Sequence, residues 1–285
     1  MSIPRFQHFP EIKWVTQFGN RPSLSPDGTK IVFQRDMADG SSLWTVHVDG
    51  SNLERLYPLE GTSNATRPDW SWSHKIAFSK DGVIWTIDPD TKHAEAYYKG
   101  PETLDGNMEY PSWYRDLKAI AAVRYYRDVH GAQQAEIYKI TPTALERLTT
   151  SPHPVAGRPS VSPDGTKIAF AGNEGVYSQE RNQIWIVETA TKRVYRLEPG
   201  NDAEFQGRSP NWSPRGELIV FESTRPADPP TTSSMLAAFV IHNVGAALNQ
   251  ITLYGISHPE WSRDQSRIVF DAREGIGIIH YPPPD

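Results

Sequence analysis

Apolar and polar residues alternate along this chain in short runs, and no stretch holds a helical period. The segment 158–199 shows the pattern at its clearest. "RPSVS" alternates like a half-buried strand, and "PDG" then turns, with proline presetting φ and glycine accepting positive φ. "TKIAFAG" reads as a second strand, "NEGVYSQERN" as a polar loop, and "QIWIVET" as a third strand. "ATK" turns the chain into "RVYRLEP", a fourth. Four short antiparallel strands in about forty residues form one sheet-sized unit.

The unit recurs. "RPSLSPDGTKIVF" (21–33) nearly copies "RPSVSPDGTKIAF" (158–170). "RPDWSWSHKIAF" (67–78), "YPSWYRDLKAIAA" (110–122), "SPNWSPRGELIVF" (209–221) and "HPEWSRDQSRIVF" (258–270) follow the same outline. Each has proline second, at Pro22, Pro68, Pro111, Pro159, Pro210 and Pro259, with steps of 46, 43, 48, 51 and 49. The third strand returns as "LWTVHV", "IWTIDP", "IYKITP", "FVIHNV" and "IGIIHY". Repeated four-stranded units with no helical partner predict an all-β fold, a six-bladed β-propeller. The blades fall at about 20–60, 61–104, 105–151, 152–201, 202–254 and 255–285 in one domain spanning 1–285. The last unit ends after its third strand. "EIKWVTQF" (11–18) supplies a spare strand at the N-terminus, which predicts that it completes the last blade and closes the ring, leaving no open edge.

"SPDGTKIAF" followed by "QIWIVETATKRVYRL" resembles the TolB-type repeat, also called the WD40-like or PD40 β-propeller repeat. The likeness is strongest in units one and four. Unit five has "SPRG" for "SPDG", and units two, three and six lose the turn motif while keeping the strands. The resemblance implies a six-bladed propeller. It leaves function open, because similar propellers serve as a periplasmic protein-binding component of the Tol system, as gating domains of prolyl-oligopeptidase-like enzymes, and as oligogalacturonate lyases. No G-x-S-x-G nucleophile motif occurs here. The lyases use metal and histidine in the channel mouth, and only a histidine can be matched to that region.

Composition narrows the partners. The 285 residues carry a net charge of −5, which argues against nucleic acid. There is no cysteine, hence no disulfide framework or thiolate chemistry. The longest apolar run, "MLAAFVI" (235–241), is too short for a membrane span, so no membrane insertion is expected. The N-terminus has no signal-peptide core. The compartment stays open between cytoplasm and, if a signal was removed, periplasm or exterior.

Chain direction places the residue before each motif proline around one mouth of the channel, the top: Arg21, Arg67, Tyr110, Arg158, Ser209 and His258. Pre-proline backbone favours extended geometry, so all six are expected to be extended. Three arginines here point to a carboxylate or phosphate, which guanidinium binds bidentately. Arg208, His153, Glu109 and Glu204 lie in adjacent loops. The competing reading is that the arginines pair with Asp69, Glu109 and Glu260 to hold blades together. The tryptophans two residues after the prolines (Trp70, Trp113, Trp212, Trp261) suit packing between blades better than sugar stacking.

The leading expectation is therefore a binding module whose top mouth, with Arg21, Arg67, Tyr110, Arg158, Arg208 and His258, engages a small anionic molecule or a protein partner. The alternative is a lyase or hydrolase acting on an acidic sugar or other small anion, with His258 as general base, Tyr110 as acid and an arginine neutralising the carboxylate. A third is a pure interaction scaffold using the rim and the insertion at 223–235. No cofactor is expected. A divalent metal in the channel would draw on His153, His258, Asp69 and Glu260, without any close-spaced ligand motif to support it.

Overall fold

The computed structural model describes residues 9–101, 105–150, 155–173, 182–198, 206–223, 236–252 and 255–281. Their strands form six four-stranded antiparallel sheets, each an up-and-down meander. The innermost strands are Asn20–Leu24, Thr66–Trp70, Asn107–Trp113, Val155–Val161, Arg208–Trp212 and Ile256–Trp261. These six begin blades one to six. The expected closure is present: Lys13–Thr16 pairs antiparallel with Gly275–His280 as the outer strand of blade six. Val15 joins one cluster with Phe33 and Val46 of blade one and Val269 and Ile278 of blade six, so the chain's start is packed into the seam it closes. Gly19, at φ +101°, links that strand to blade one. A Cβ there would lie 2.4 Å from the Phe33 ring, so only glycine fits.

The second strands carry the core. Phe33, Phe78, Phe170, Phe221 and Phe270 are fully buried, each worth about 1.5–3 kcal/mol of burial. The four motif tryptophans are also buried between blades, as the packing reading requires.

The "SPDG" turns are held by side chains as well as by glycine. In blade one Ser25 Oγ donates to Asp27 at 2.6 Å, Thr29 N–H donates to Asp27 at 3.0 Å, and Lys30 N–H donates to Ser25 Oγ at 2.9 Å. Blade four repeats this with Ser162, Asp164 and Thr166. Blade six, whose letters depart from the motif, retains its chemistry. Ser262 and Ser266 bind Asp264 at 2.5 and 3.0 Å, and Gln265 takes the left-handed position at φ 62° that glycine holds elsewhere. Burial would raise the Asp264 pKa, but hydrogen bonds from Ser262 and Ser266 outweigh it and bring it down to about 2.

Candidate functional site: a cationic funnel over a ring of hydrogen-bond acceptors

The six pre-proline residues are not extended. Arg21, Arg67, Tyr110, Arg158, Ser209 and His258 have φ between 46° and 57°. Each inner strand slips register there, three of its residues spanning two of the second strand, as in Asn20↔Gln34 and Ser23↔Val32. The left-handed residue sits in this β-bulge, and the proline, which has no N–H, occupies the gap in the ladder. The local pre-proline preference yields because the freed N–H finds an acceptor on the neighbouring blade. Arg21 N–H donates to Asp271 at 2.8 Å, Arg67 N–H to Gln34 at 2.9 Å, Tyr110 N–H to Ser79 at 3.1 Å, and His258 N–H to Glu222 at 2.9 Å. All four acceptors directly follow the aromatic that ends the second strand's core run, in the preceding blade.

A second ring lies one step deeper. The residue after each proline accepts a backbone N–H from the next blade. Trp70 N–H donates to Ser23 at 2.9 Å, Trp113 to Asp69 at 2.8 Å, and Val161 to Ser112 at 3.2 Å. Trp212 donates to Ser160 at 3.0 Å, Trp261 to Asn211 at 3.0 Å, and Leu24 to Glu260 at 3.2 Å. The ring closes on itself, blade to blade. Glu260 also accepts from Ser23 Oγ at 2.9 Å. Burial pushes both acids up, and Glu260's charge adds to the effect on Asp69, which reaches about 7 against the opposing pull of Arg263, Trp113 N–H and Arg158.

Between the two rings the channel narrows to a cavity of about 30 Å³ lined by Arg21, Arg67, Asp69, Tyr110, Arg158 and Glu260. That volume holds about one water. Below, Arg263 reaches from blade six to donate to Trp70 O at 2.5 Å, and Trp72 lies between the guanidiniums of Arg263 and Arg115 at 4.5 and 4.4 Å. Above, the channel widens into a funnel of about 250 Å³ whose wall includes Arg21, Tyr110, Arg158, Arg208, Glu222 and His258.

The expected site residues therefore converge, with unequal roles. Arg67 is an ion-pair residue: it bonds Glu109 at 3.0 Å and lies 4.2 Å from the centre of the Tyr110 ring. Burial opposes its charge, yet Tyr110 and Glu109 raise its pKa overall. Arg21 lies 5.4 Å from the centre of the same ring. Arg158 differs. Its Nη1 is buried with no hydrogen-bond partner, and burial depresses its pKa, Arg21 acting in the same direction and Glu260, Asp271 and Glu222 against it. It stays a cation, because guanidinium does not deprotonate in proteins. His258 Nδ1 lies 2.8 Å from Asp271 Oδ1, which orients the imidazole in the funnel wall.

Among the described residues no three His, Asp or Glu side chains are grouped to hold a metal. His258 is committed to Asp271, while Asp69 and Glu260 sit in the narrow section below. His153, Glu204 and residues 224–235 of the insertion lie outside the described residues. The sequence reading missed Glu222 and Asp271, and missed the ring of residues that follow the prolines. Its signal is six hydrogen-bonding side chains (Ser, Asp, Ser, Ser, Asn, Glu) at one repeat position.

With this geometry in hand, solved structures of like fold can be compared. A protein of Agrobacterium tumefaciens classed as TolB matches at TM-score 0.69 and 18% identity, covering 95% of this chain and 93% of that one. The chain is a TolB-like six-bladed propeller in fold. A gluconolactonase from Xanthomonas campestris matches at TM-score 0.69 and 13% identity over 99% and 98% of the two chains. An oligogalacturonate lyase in complex with manganese matches at 0.62 and 14%, over 94% and 77%. No family profile and no curated sequence matches the chain. At these identities the likeness establishes the fold alone. No helix among the described residues is long and apolar enough to cross a membrane.

Proposed function

We propose that this TolB-type propeller is a binding module whose top funnel takes a small anionic ligand, with Arg158 as its anchor. The observation that carries this reading is the buried, unpartnered Nη1 of Arg158 at the base of a funnel also lined by Arg21, Arg208 and His258. A buried donor without a partner costs about 1–3 kcal/mol, and more when charged. A carboxylate or phosphate oxygen placed there removes that cost and gains a charge-assisted bond. Arg67 serves this site indirectly, packing its guanidinium against Tyr110 in the funnel wall. Calorimetric titration with inorganic phosphate, citrate and galacturonate tests the reading. Arg158→Gln is expected to weaken the best of these by about ten- to a hundredfold with the melting temperature unchanged or raised. Loss of stability without loss of affinity would return Arg158 to a purely structural role.

The His258–Asp271 pair supports a second reading, an enzyme acting on an acidic sugar in the same funnel. His258 Nε2 would take the proton next to a carboxylate held by Arg158, and Tyr110 would donate to the leaving oxygen. The lyase and lactonase among the structural neighbours keep this class in view. Incubation with oligogalacturonate, monitored for an unsaturated product, separates the two readings: turnover lost in His258→Asn favours the enzyme, and binding without turnover favours the module.

A further inference from the structure

Two acids lie directly beneath the funnel, and anion binding at Arg158 does not by itself require them. Asp69, on the inner strand of blade two, and Glu260, on that of blade six, line the narrow section of about 30 Å³ together with Arg21, Arg67, Tyr110 and Arg158. Asp69 Oδ2 accepts Trp113 N–H at 2.8 Å, and Glu260 Oε1 accepts Ser23 Oγ–H at 2.9 Å and Leu24 N–H at 3.2 Å. The second oxygen of each acid has no hydrogen-bond partner among the described residues and can carry a proton. Arg158 lines both this section and the funnel above it, so one side chain connects the acids to the anion site.

Charges face the acids from several blades. Arg158 reaches them from blade four and Arg263 from the turn of blade six, and both favour the ionised carboxylates. Arg21 of blade one and Arg67 of blade two line the same section, Arg67 being tied to Glu109 at 3.0 Å. Tyr110 and Ser112 of blade three and Asn211 of blade five add neutral groups. Above, Glu222 and Asp271 act on Arg158 from the funnel side, and His258 stands in the funnel wall. Against the cations stand burial and, for Asp69, the charge of Glu260. These prevail: Asp69 is pushed up to about 7, and Glu260 lies above its usual range. Because the two acids act on each other, the proton belongs to the pair.

An anion seated on Arg158 Nη1, the buried donor without a partner, brings negative charge to the guanidinium that both acids share. Added negative charge favours the protonated form of the pair. Linkage is reciprocal, so the protonated pair binds the anion more tightly by the same factor. We propose that the funnel takes up its anion together with a proton held by the Asp69–Glu260 pair, loading below neutral pH and unloading above it. This rests on the reading of the funnel as an anion site. The sign follows from the cycle. Below the pH at which the free pair loses its proton, affinity is flat; above it, affinity falls by at most about tenfold per pH unit, because one proton accompanies one anion.

The test uses the full chain and sodium sulfate, whose charge does not change across the range studied. Calorimetry gives its affinity from pH 5.5 to 8.5, and a pH-stat at pH 7.5 counts the protons taken up per sulfate bound. The parent protein is expected to take up about 0.5 proton or more, and to bind about three- to tenfold more weakly at pH 8.5 than at pH 6.5. Asp69→Asn keeps an acceptor for Trp113 N–H, and Glu260→Gln keeps one for Leu24 N–H; each leaves a single acid free of its partner's charge. Both variants are expected to bind sulfate with less than about 0.2 proton and with little dependence on pH. His258→Asn is expected to retain the uptake per sulfate bound, which separates the pair from the imidazole in the wall. Binding without proton uptake in the parent overturns this inference and leaves the anion site standing. Uptake that survives both acid variants, or that disappears in His258→Asn, overturns it as well. Absence of sulfate binding at every pH overturns the anion site and this inference together.

Discussion

Removing one hydroxyl from the channel ring tests whether the blades are bound to one another there. Ser23 is fully buried, accepts Trp70 N–H at 2.9 Å and donates to Glu260 at 2.9 Å. Ser23→Ala deletes both contacts. The orphaned backbone donor costs about 1–3 kcal/mol, and the lost bond to a carboxyl group about 1.5–3 kcal/mol. The sum is about 3–5 kcal/mol, allowing for partial relaxation. An unfolding entropy of about 2.1 cal/mol/K per residue gives roughly 0.6 kcal/mol/K for this chain length, so the melting temperature should fall by about 5–8 °C if the wheel unfolds as one unit. Ser112→Ala, which orphans only Val161 N–H, should lose about 2–5 °C. Calorimetric melts of the two variants beside the parent decide it. A Ser23→Ala protein melting within 1 °C of the parent would refute the ring's stabilising role.

The remaining predictions concern closure and pH. Removing residues 1–18 takes away Lys13–Thr16 and Val15, and should expose the Gly275–His280 edge, so the truncated chain is expected to aggregate or melt several degrees lower in size-exclusion and melting experiments. Asp69 has a folded pKa of about 7, raised from 3.8, so its contribution to stability is complete below the unfolded value and is lost as pH rises through about 7. Melting temperature should therefore decline between about pH 4 and pH 7 and level off above, and Asp69→Asn, which keeps an acceptor for Trp113 N–H, should flatten that decline. Asp264 works in the opposite sense: its pKa of about 2 gives stability that is present above the unfolded value and lost as pH falls toward 2, so Asp264→Asn should reduce the acid sensitivity of the melt.

The wheel was legible because its evidence is local and repeated: proline second in six segments, two-residue alternation, and a spare N-terminal strand facing a short last unit. The turn of blade six was harder to read. Ser262, Asp264 and Ser266 do the work of "SPDG" with different letters, and only the hydrogen bonds reveal the equivalence. The left-handed arginines were missed because the pre-proline preference is a property of a short peptide. Here it is overridden by acceptors such as Asp271 and Gln34, which lie one repeat away and approach only when the ring is closed. The channel ring was concealed by its chemical variety, since serine, aspartate, asparagine and glutamate share an acceptor rather than a name. Arg67 and Arg158 occupy the same repeat position and looked alike in sequence. The difference between a paired and an unpaired guanidinium depends on the following blade, which sets Glu109 beside Arg67 and carries Arg208 at the same position after Arg158.

The most direct test of the funnel's role is a crystal structure of the protein grown with the tightest-binding anion from the titration panel. The account predicts a carboxylate or phosphate oxygen within about 3 Å of Arg158 Nη1, inside the funnel shared with Arg208 and His258. A structure in which that anion binds elsewhere while Arg158 pairs with Glu260 or Glu222 would contradict it.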